Sequence, residues 1–473
     1  MFDKSGTERY PLIKALEQQL EQVSFRFHVP AHLADRGPHP ASDFDLTELS
    51  GLDNLFEPAG VIAESQRLAA EFFGADETYY LVNGSSAGLI AAIWSSCRRG
   101  EKVILGRNIH RSAIAGLIWS GAVPCFIPVK EHIRGIPLNI DVPTAEAVLS
   151  GKGVSSTAMV VTNPSYFGIS TDLDALRTIT ARRRITLIVD EAHGGHFIFS
   201  PEFPRSAAVC GADLWINSAH KTLGALTPGA LLHRKGGRAN PARLKNGLSM
   251  VQTSSPSYAV LASLEMICRE QEDGWREAIR LSRYARQQIN SRGRFVCLEA
   301  SMLPTGFFMD PLRLTIKADK VALSGFQLAK ILKDECRIEV ELAGHNNLVA
   351  IIHPGHRKDD IDALILALKQ IGERYYSPGG TEYAHESYPL PDMALSPRDA
   401  AESSWRELPI RDACGLISAV TVSPFPPGIP VLIPGEVIAK EIVEQIIADY
   451  SRGYNFLGLG ADPSLPIMVV DTD

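Results

Sequence analysis

Between about residues 60 and 235, short β-branched apolar runs alternate with amphipathic stretches. That alternation predicts a mostly parallel sheet covered by helices on both faces. Residues 61–73 carry apolar side chains at helical spacing and stop at Gly74, a residue suited to ending a helix. Strands are predicted over 79–82, 102–105, 123–129, 158–162, 186–190, 213–217 and 229–233, with a helix from near Ser85. Most of these strands are short and apolar, as buried strands are.

Helical spacing dominates after Pro256, over 258–269 and 275–290. Strand patterns return at 312–316 and 348–352 around a helix at about 323–333, which predicts a smaller α+β unit. Pro, Gly and Ser then cluster over 377–397 (SPGGTEYAHESYPLPDMALSP) as a linker. The expected division is an arm over 1–45, a large α/β domain over 46–294, the small α+β domain over 295–376, the linker over 377–397 and a C-terminal domain over 398–473.

The chain has 473 residues, 45% of them hydrophobic and 21% charged, so it can bury several cores and is unlike a disordered chain. Lys+Arg 47 against Asp+Glu 54 leaves a formal net charge of −7, without the broad positive field that nucleic acid or anionic lipid attracts. The seven cysteines are scattered and hold no C-x-x-C pair, and read as reduced thiols. The opening MFDKSGTERYPLIKALEQQLEQ is charged throughout, and no apolar run reaches the roughly 18–20 residues of a membrane span. A cytoplasmic location is expected.

Three places carry chemistry. Ser218, Ala219, His220 and Lys221 follow a predicted strand. A partly desolvated lysine at a strand end, beside another potentially cationic group, can act as a Schiff-base amine; the same string also suits an ordinary surface lysine. Asp190 closes the strand 186–190, in the crevice where open α/β sheets bind ligands. There it suits a pyridinium nitrogen, a magnesium ion or a helix N-cap equally. Asn83, Gly84, Ser85, Ser86, Ala87 and Gly88 form a small polar turn before a helix, either a phosphate cradle or a capping turn. His193 and His196 stand at H-G-G-H spacing, but two intervening glycines and the lack of a nearby third ligand argue against metal. Cradle, strand-end aspartate and strand-end lysine, in that order, together suit pyridoxal 5'-phosphate.

At these residues the chain resembles the pyridoxal-phosphate-dependent ornithine/lysine/arginine decarboxylases of the aspartate aminotransferase fold, in their short bacterial form. The likeness is carried by TELSGLDNL (47–55), VNGSSAG (82–88), RNIHRS (107–112), TNPSYFG (162–168), VDEAHGGHF (189–197), SAHK (218–221) and PFPPGIPVLIPGE (424–436), collinear from near Phe27 to near Gly460. It implies fold type I, with a mostly parallel sheet in the large domain, a smaller α+β domain and a C-terminal family domain. Lys221 would hold the cofactor covalently, Asp190 would face the pyridine nitrogen and His110 would stack on the ring. Ser85, Ser86, Ser218 and His220 would surround the phosphate, and Thr162 and His193 would occupy positions flanking the cofactor. Thr253, Ser254 and Ser255 would reach a neighbouring subunit's site in a homodimer or higher oligomer.

The implied reaction is decarboxylation of arginine, lysine or ornithine to an amine, as in polyamine metabolism, with His193 or Lys221 as the proton donor at the α-carbon. An aminotransferase or lyase on the same scaffold, or a non-catalytic relative, is the alternative. Two departures stand out. Thr227, Pro228 and Gly229 replace the glutamine and small hydroxyl residues usual after the lysine, and HVPAHLADRGPHP (28–40) lacks the usual basic, glycine-rich form of that segment.

Overall fold

The computed structural model describes residues 10–22, 43–129, 131–132, 136–151, 155–268, 272–379, 388–425 and 428–471. The divergent segment 28–40, part of the expected linker, Pro426 and Pro427 lie outside the described residues.

Seven strands build the large sheet: β1 (Glu77–Leu81), β2 (Lys102–Gly106), β3 (Val123–Ile127), β4 (Ala158–Thr162), β5 (Thr186–Asp190), β6 (Leu214–Asn217) and β7 (Ala230–Arg234), in the order β1-β7-β6-β5-β4-β2-β3. β7 runs antiparallel to both neighbours, and the other six share one direction. The apolar run Leu187–Val189 of β5 is buried on both faces, as a central parallel strand requires. The strand expected to reach residue 129 stops at Ile127, and the helix expected over 258–269 ends at Met266.

Helix α1 (Pro11–Gln22) was not anticipated, although Leu12, Ile13, Leu16 and Leu20 stand at helical spacing. It buries Leu12, Ile13 and Leu16, and the Leu12 and Ile13 N–H groups donate to the buried Glu265 carboxylate at 3.0 and 2.9 Å. Helix α2 (Val61–Phe73) ends at Gly74, whose φ of +68° is the left-handed value that glycine adopts without cost. Asp53 of the TELSGLDNL block accepts the Gly60 and Ile62 N–H groups at 2.8 and 3.0 Å, so that block serves as the entry cap of α2. Helix α3 (Gly84–Ser96), apolar almost all round, is sandwiched between the sheet, α4 (Arg111–Ser120) and the helix Pro241–Val251.

Helix α5 (Tyr258–Met266) supplies Glu265 to α1, and α6 (Glu272–Asn290) leads into the small domain. There β8 (Phe295–Cys297), β9 (Arg313–Ala318), β10 (Leu342–Ala343) and β11 (Asn347–Ile351) form an antiparallel sheet in the order β8-β9-β11-β10. It packs with α6, α7 (Gly325–Cys336) and α8 (Lys358–Arg374). The Ser324–Gln327 capping box starts α7 just after the residue expected from sequence.

The C-terminal unit pairs β12 (Trp405–Pro409) with β13 (Pro466–Val470) and packs α9 (Lys440–Ser451) over its own core, including Val422, Leu432, Ile442 and Ile467. One bidentate ion pair fastens it to the large domain. Arg107 of RNIHRS meets Glu436 of the PFPPGIPVLIPGE block at 2.7 and 2.8 Å, and Arg107 also donates to the Val431 carbonyl at 3.0 Å.

The Glu436 side chain is 0% exposed, so removing its partner strands a buried carboxylate. Arg107→Ala is expected to destabilise the fold by about 3–5 kcal/mol in urea denaturation. Burial already raises the Glu436 pKa despite Arg107, so the loss should grow as pH rises and the unpaired carboxylate is forced to ionise.

Candidate active site

The candidate groups other than Thr253, Ser254 and Ser255 gather at the C-terminal edge of the parallel strands, as the topology of an open α/β sheet demands. Thr162 at the end of β4 pairs in register with Asp190 at the end of β5, and Asp190 pairs with Ile216 of β6. The chain then turns through the short helix Ala219–Thr222, which carries His220 and Lys221. A cavity of about 370 Å³ opens over this edge. Its walls include Ser85, Ser86, His110, Thr162, Tyr166, Asp190, His193, His220 and Lys221.

The phosphate side is built from α3. Asn83 precedes it without capping it, because its side chain instead donates to the Val251 carbonyl at 3.3 Å. The first-turn N–H groups are therefore left without a side-chain acceptor, as an anion-binding helix terminus needs. Ser218, buried behind the cavity wall, donates to Ser85 at 2.6 Å and joins the two loops. His220 donates from Nδ1 to the Gly229 carbonyl at 3.0 Å, so the residue after Pro228 orients that ring.

On the opposite side, Asp190 is buried and accepts the Ala192 N–H at 3.2 Å. The Thr162 hydroxyl is buried without a hydrogen-bond partner. An uncapped helix terminus flanked by serines, an orphaned hydroxyl and a carboxylate at the far end fit a ligand with a phosphate and a polar ring. His110 accepts the Ser112 N–H at 3.2 Å through Nδ1, and so caps α4 while its ring faces the cavity.

Lys221 opens on the cavity, yet the walls desolvate its ammonium and lower its pKa, against the opposing charges of Asp190 and Glu341. Its Nζ lies 3.2 Å from His193 Nε2. Burial lowers the His193 pKa well below its ordinary value, and the neighbouring Arg313 and Lys221 cations lower it further. Beneath the site, Glu191 is fully buried and burial raises its pKa to about 8, although Asn217 and the Ala207 N–H donate to it at 3.0 and 2.6 Å.

The two histidines of the H-G-G-H run part company. His193 faces Lys221, whereas His196 stacks on Trp275 and lies 3.2 Å from Asp310. Thr253, Ser254 and Ser255 are exposed and do not line the cavity of their own chain. Sequence reasoning missed Arg313, whose Nη2 lies 2.6 Å from His193 Nδ1, and the pair Tyr166–Glu341, joined at 2.8 Å. An arginine opening the apolar strand RLTIKA was the available signal, since buried arginines are rarely without a partner.

Residues 10–360 match the model of the Orn/Lys/Arg decarboxylase major domain, and residues 381–454 match that of the Orn/Lys/Arg decarboxylase C-terminal domain. The chain is 33% identical over 461 residues to an arginine decarboxylase of Bacillus subtilis, covering 94% of each protein. It is 23% identical over 552 residues to the lysine decarboxylase LdcA of Pseudomonas aeruginosa, covering 90% of this chain and 73% of that protein. The fold is similar to that of the Francisella novicida lysine decarboxylase LdcF, with a TM-score of 0.85 at 20% identity over 98% of this chain and 81% of that one.

Borohydride reduction of the protein with pyridoxal phosphate is expected to attach the label to Lys221, because the reducible linkage needs an amine that is neutral at the cavity. Peptide mass spectrometry reads the position. Lys221→Ala should abolish labelling, and a label on Lys235 or Lys245 would overturn the assignment.

Proposed function

The chain belongs to the Orn/Lys/Arg decarboxylase family and is a pyridoxal-phosphate-dependent decarboxylase of a basic amino acid, and on that premise we propose that the amino acid is arginine. The higher identity to arginine decarboxylase than to lysine decarboxylase supports this reading. The observation that carries it within the site is the Tyr166–Glu341 pair. Two carboxylates act on Lys221, Asp190 and Glu341. With Asp190 facing the cofactor ring, Glu341 is left for the distant cation of the substrate. Tyr166, a wall of the cavity, donates to one Glu341 oxygen and leaves the other to accept from a guanidinium N–H.

Pyridoxal phosphate, when bound, supplies a ring that accepts the electron pair left behind as carbon dioxide departs. The first turn of α3, Ser85, Ser86 and Ser218 would hold its phosphate, and His110 would lie against the ring. Asp190 would keep a proton on the ring nitrogen. Lys221 would hold the cofactor and then, as a free amine, stand beside the α-carbon. Thr162, whose hydroxyl is without a partner among the described residues, would offer a hydrogen bond to the cofactor. The amine product belongs to the chemical class of polyamine precursors.

The active unit in this reading is at least a homodimer, in which Thr253, Ser254 and Ser255 complete the partner's site. Their exposure away from their own cavity supports it.

Purified protein incubated with pyridoxal phosphate and a panel of arginine, lysine and ornithine should release stoichiometric carbon dioxide fastest from arginine, with the amine identified by mass spectrometry. Faster release from lysine or ornithine would reject the substrate assignment. Glu341→Gln should raise KM for arginine about 10- to 100-fold, the worth of one charge-assisted contact, with a smaller change in kcat. Mixing Lys221→Ala protein with protein altered at Ser254 and Ser255 should restore part of the activity. No recovery despite proven subunit exchange would place the whole site within one chain.

A further inference from the structure

We infer that Arg313 is a positioning residue that fixes the tautomer of His193, with its Nε2–H aimed at Lys221, so that His193 is not the source of the proton of the reaction. The inference rests on Lys221 being the amine that holds the cofactor. The argument is one of donors and acceptors. A guanidinium can only donate, and a neutral imidazole carries one N–H and one lone pair. Arg313 Nη2 stands 2.6 Å from His193 Nδ1, so Nδ1 is the acceptor and the ring proton sits on Nε2. Nε2 lies 3.2 Å from Lys221 Nζ, and there it donates. Lys221 accepts through a lone pair that only the neutral amine possesses. To gain a proton, His193 would have to place an N–H against the guanidinium. To lose one, it would have to become an anion.

Packing and a nearby opposite charge keep Arg313 in place, while its Nε and Nη1 are buried without a hydrogen-bond partner among the described residues. Arg313 is 1% exposed, and its Nε lies 3.8 Å from the buried Asp310 carboxylate, which also accepts the Leu312 N–H at 2.9 Å. Gly168, the last residue of the TNPSYFG block, makes room for it: a Cβ there would fall 2.5 Å from Arg313 Cγ, and the φ of +80° disfavours any side chain. The titratable groups facing His193 are Arg313, Lys221, His110 and His196, with Tyr166 edge-on at 4.7 Å. None of these supplies a negative charge that would favour an imidazolium. Because Arg313 belongs to β9 of the small domain while His193 and Lys221 belong to the large one, the donor is set only when the two are docked.

The test is ¹⁵N-histidine NMR of the holoenzyme from pH 6 to 9, with His193 assigned from His193→Gln. The expected wild-type signal is a neutral ring protonated on Nε2 that does not titrate. In Arg313→Met the Nδ1 acceptor loses its donor, so the ring should populate both tautomers and its pKa should rise, with burial still holding it below the ordinary imidazole range; kcat should fall on the order of 100-fold through misplacement while KM changes little. A new ionisation should enter the kcat profile of that variant. Arg313→Lys, which still donates, should restore the wild-type profile, and His193→Gln should keep its shape because an amide donates without titrating. Wild-type titration of His193 between pH 6 and 9, or a proton on Nδ1, overturns the inference even where Arg313→Met fails to fold. Failure of borohydride to label Lys221 would instead refute the cofactor assignment, and the NMR reads the tautomer independently of it.

Discussion

The hydrogen-bonded register of β4, β5 and β6 governs where every reactive group stands. A slip of one residue in a strand buried on both faces would exchange its two apolar surfaces and move Asp190 off the edge. Because Thr162, Asp190 and Ile216 are level, the chain beyond β6 needs only one helical turn to bring Lys221 back over Asp190. β7, running the other way, returns Gly229 to the same edge, where its carbonyl orients His220. The sheet is thus a ruler against which loops of very different length are set.

Below that edge lies a polar chain that an apolar core would not contain without cause. Asn217 donates to Glu191 and accepts from His233, which in turn meets Thr78 at 2.8 Å. Burial raises the Glu191 pKa to about 8 and lowers that of His233 to about 3, so at moderately acid to neutral pH both ends are uncharged and the hydrogen bonds keep one direction. Each buried group has its partner, and the cost of desolvation is met without an ion pair. The network joins β1, β7, β6 and the turn after β5, the same elements that carry the phosphate cradle, the lysine and the aspartate.

Much of this was legible from residue patterns. Strands β4 and β5 were placed to the residue, since short all-apolar runs ending in a polar residue have few other readings. The stops and starts at Gly74 and near Ser85 followed from backbone chemistry. What periodicity could not show was cross-domain pairing. The start of α1 is fixed by Glu265, a residue far along the chain, and Arg107 meets Glu436 across an even longer separation. Arg313 and Glu341 lie on a different domain from Lys221 and become part of its surroundings only through docking. Several motif blocks quoted for their family likeness also have structural work: Asp53 caps a helix, and Arg107 and Glu436 clamp a domain.

Gly168 and Arg313 impose an order on sequence change. While Arg313 is present, any side chain at 168 meets both an unfavourable backbone angle and the arginine's own methylenes. A smaller residue at 313 would relieve only the contact with Cγ, because its own Cβ would still stand 2.6 Å from a Cβ at 168. Both the backbone angle and the close approach of the two segments therefore keep position 168 a glycine, and among descendants of this chain the glycine should outlast the arginine.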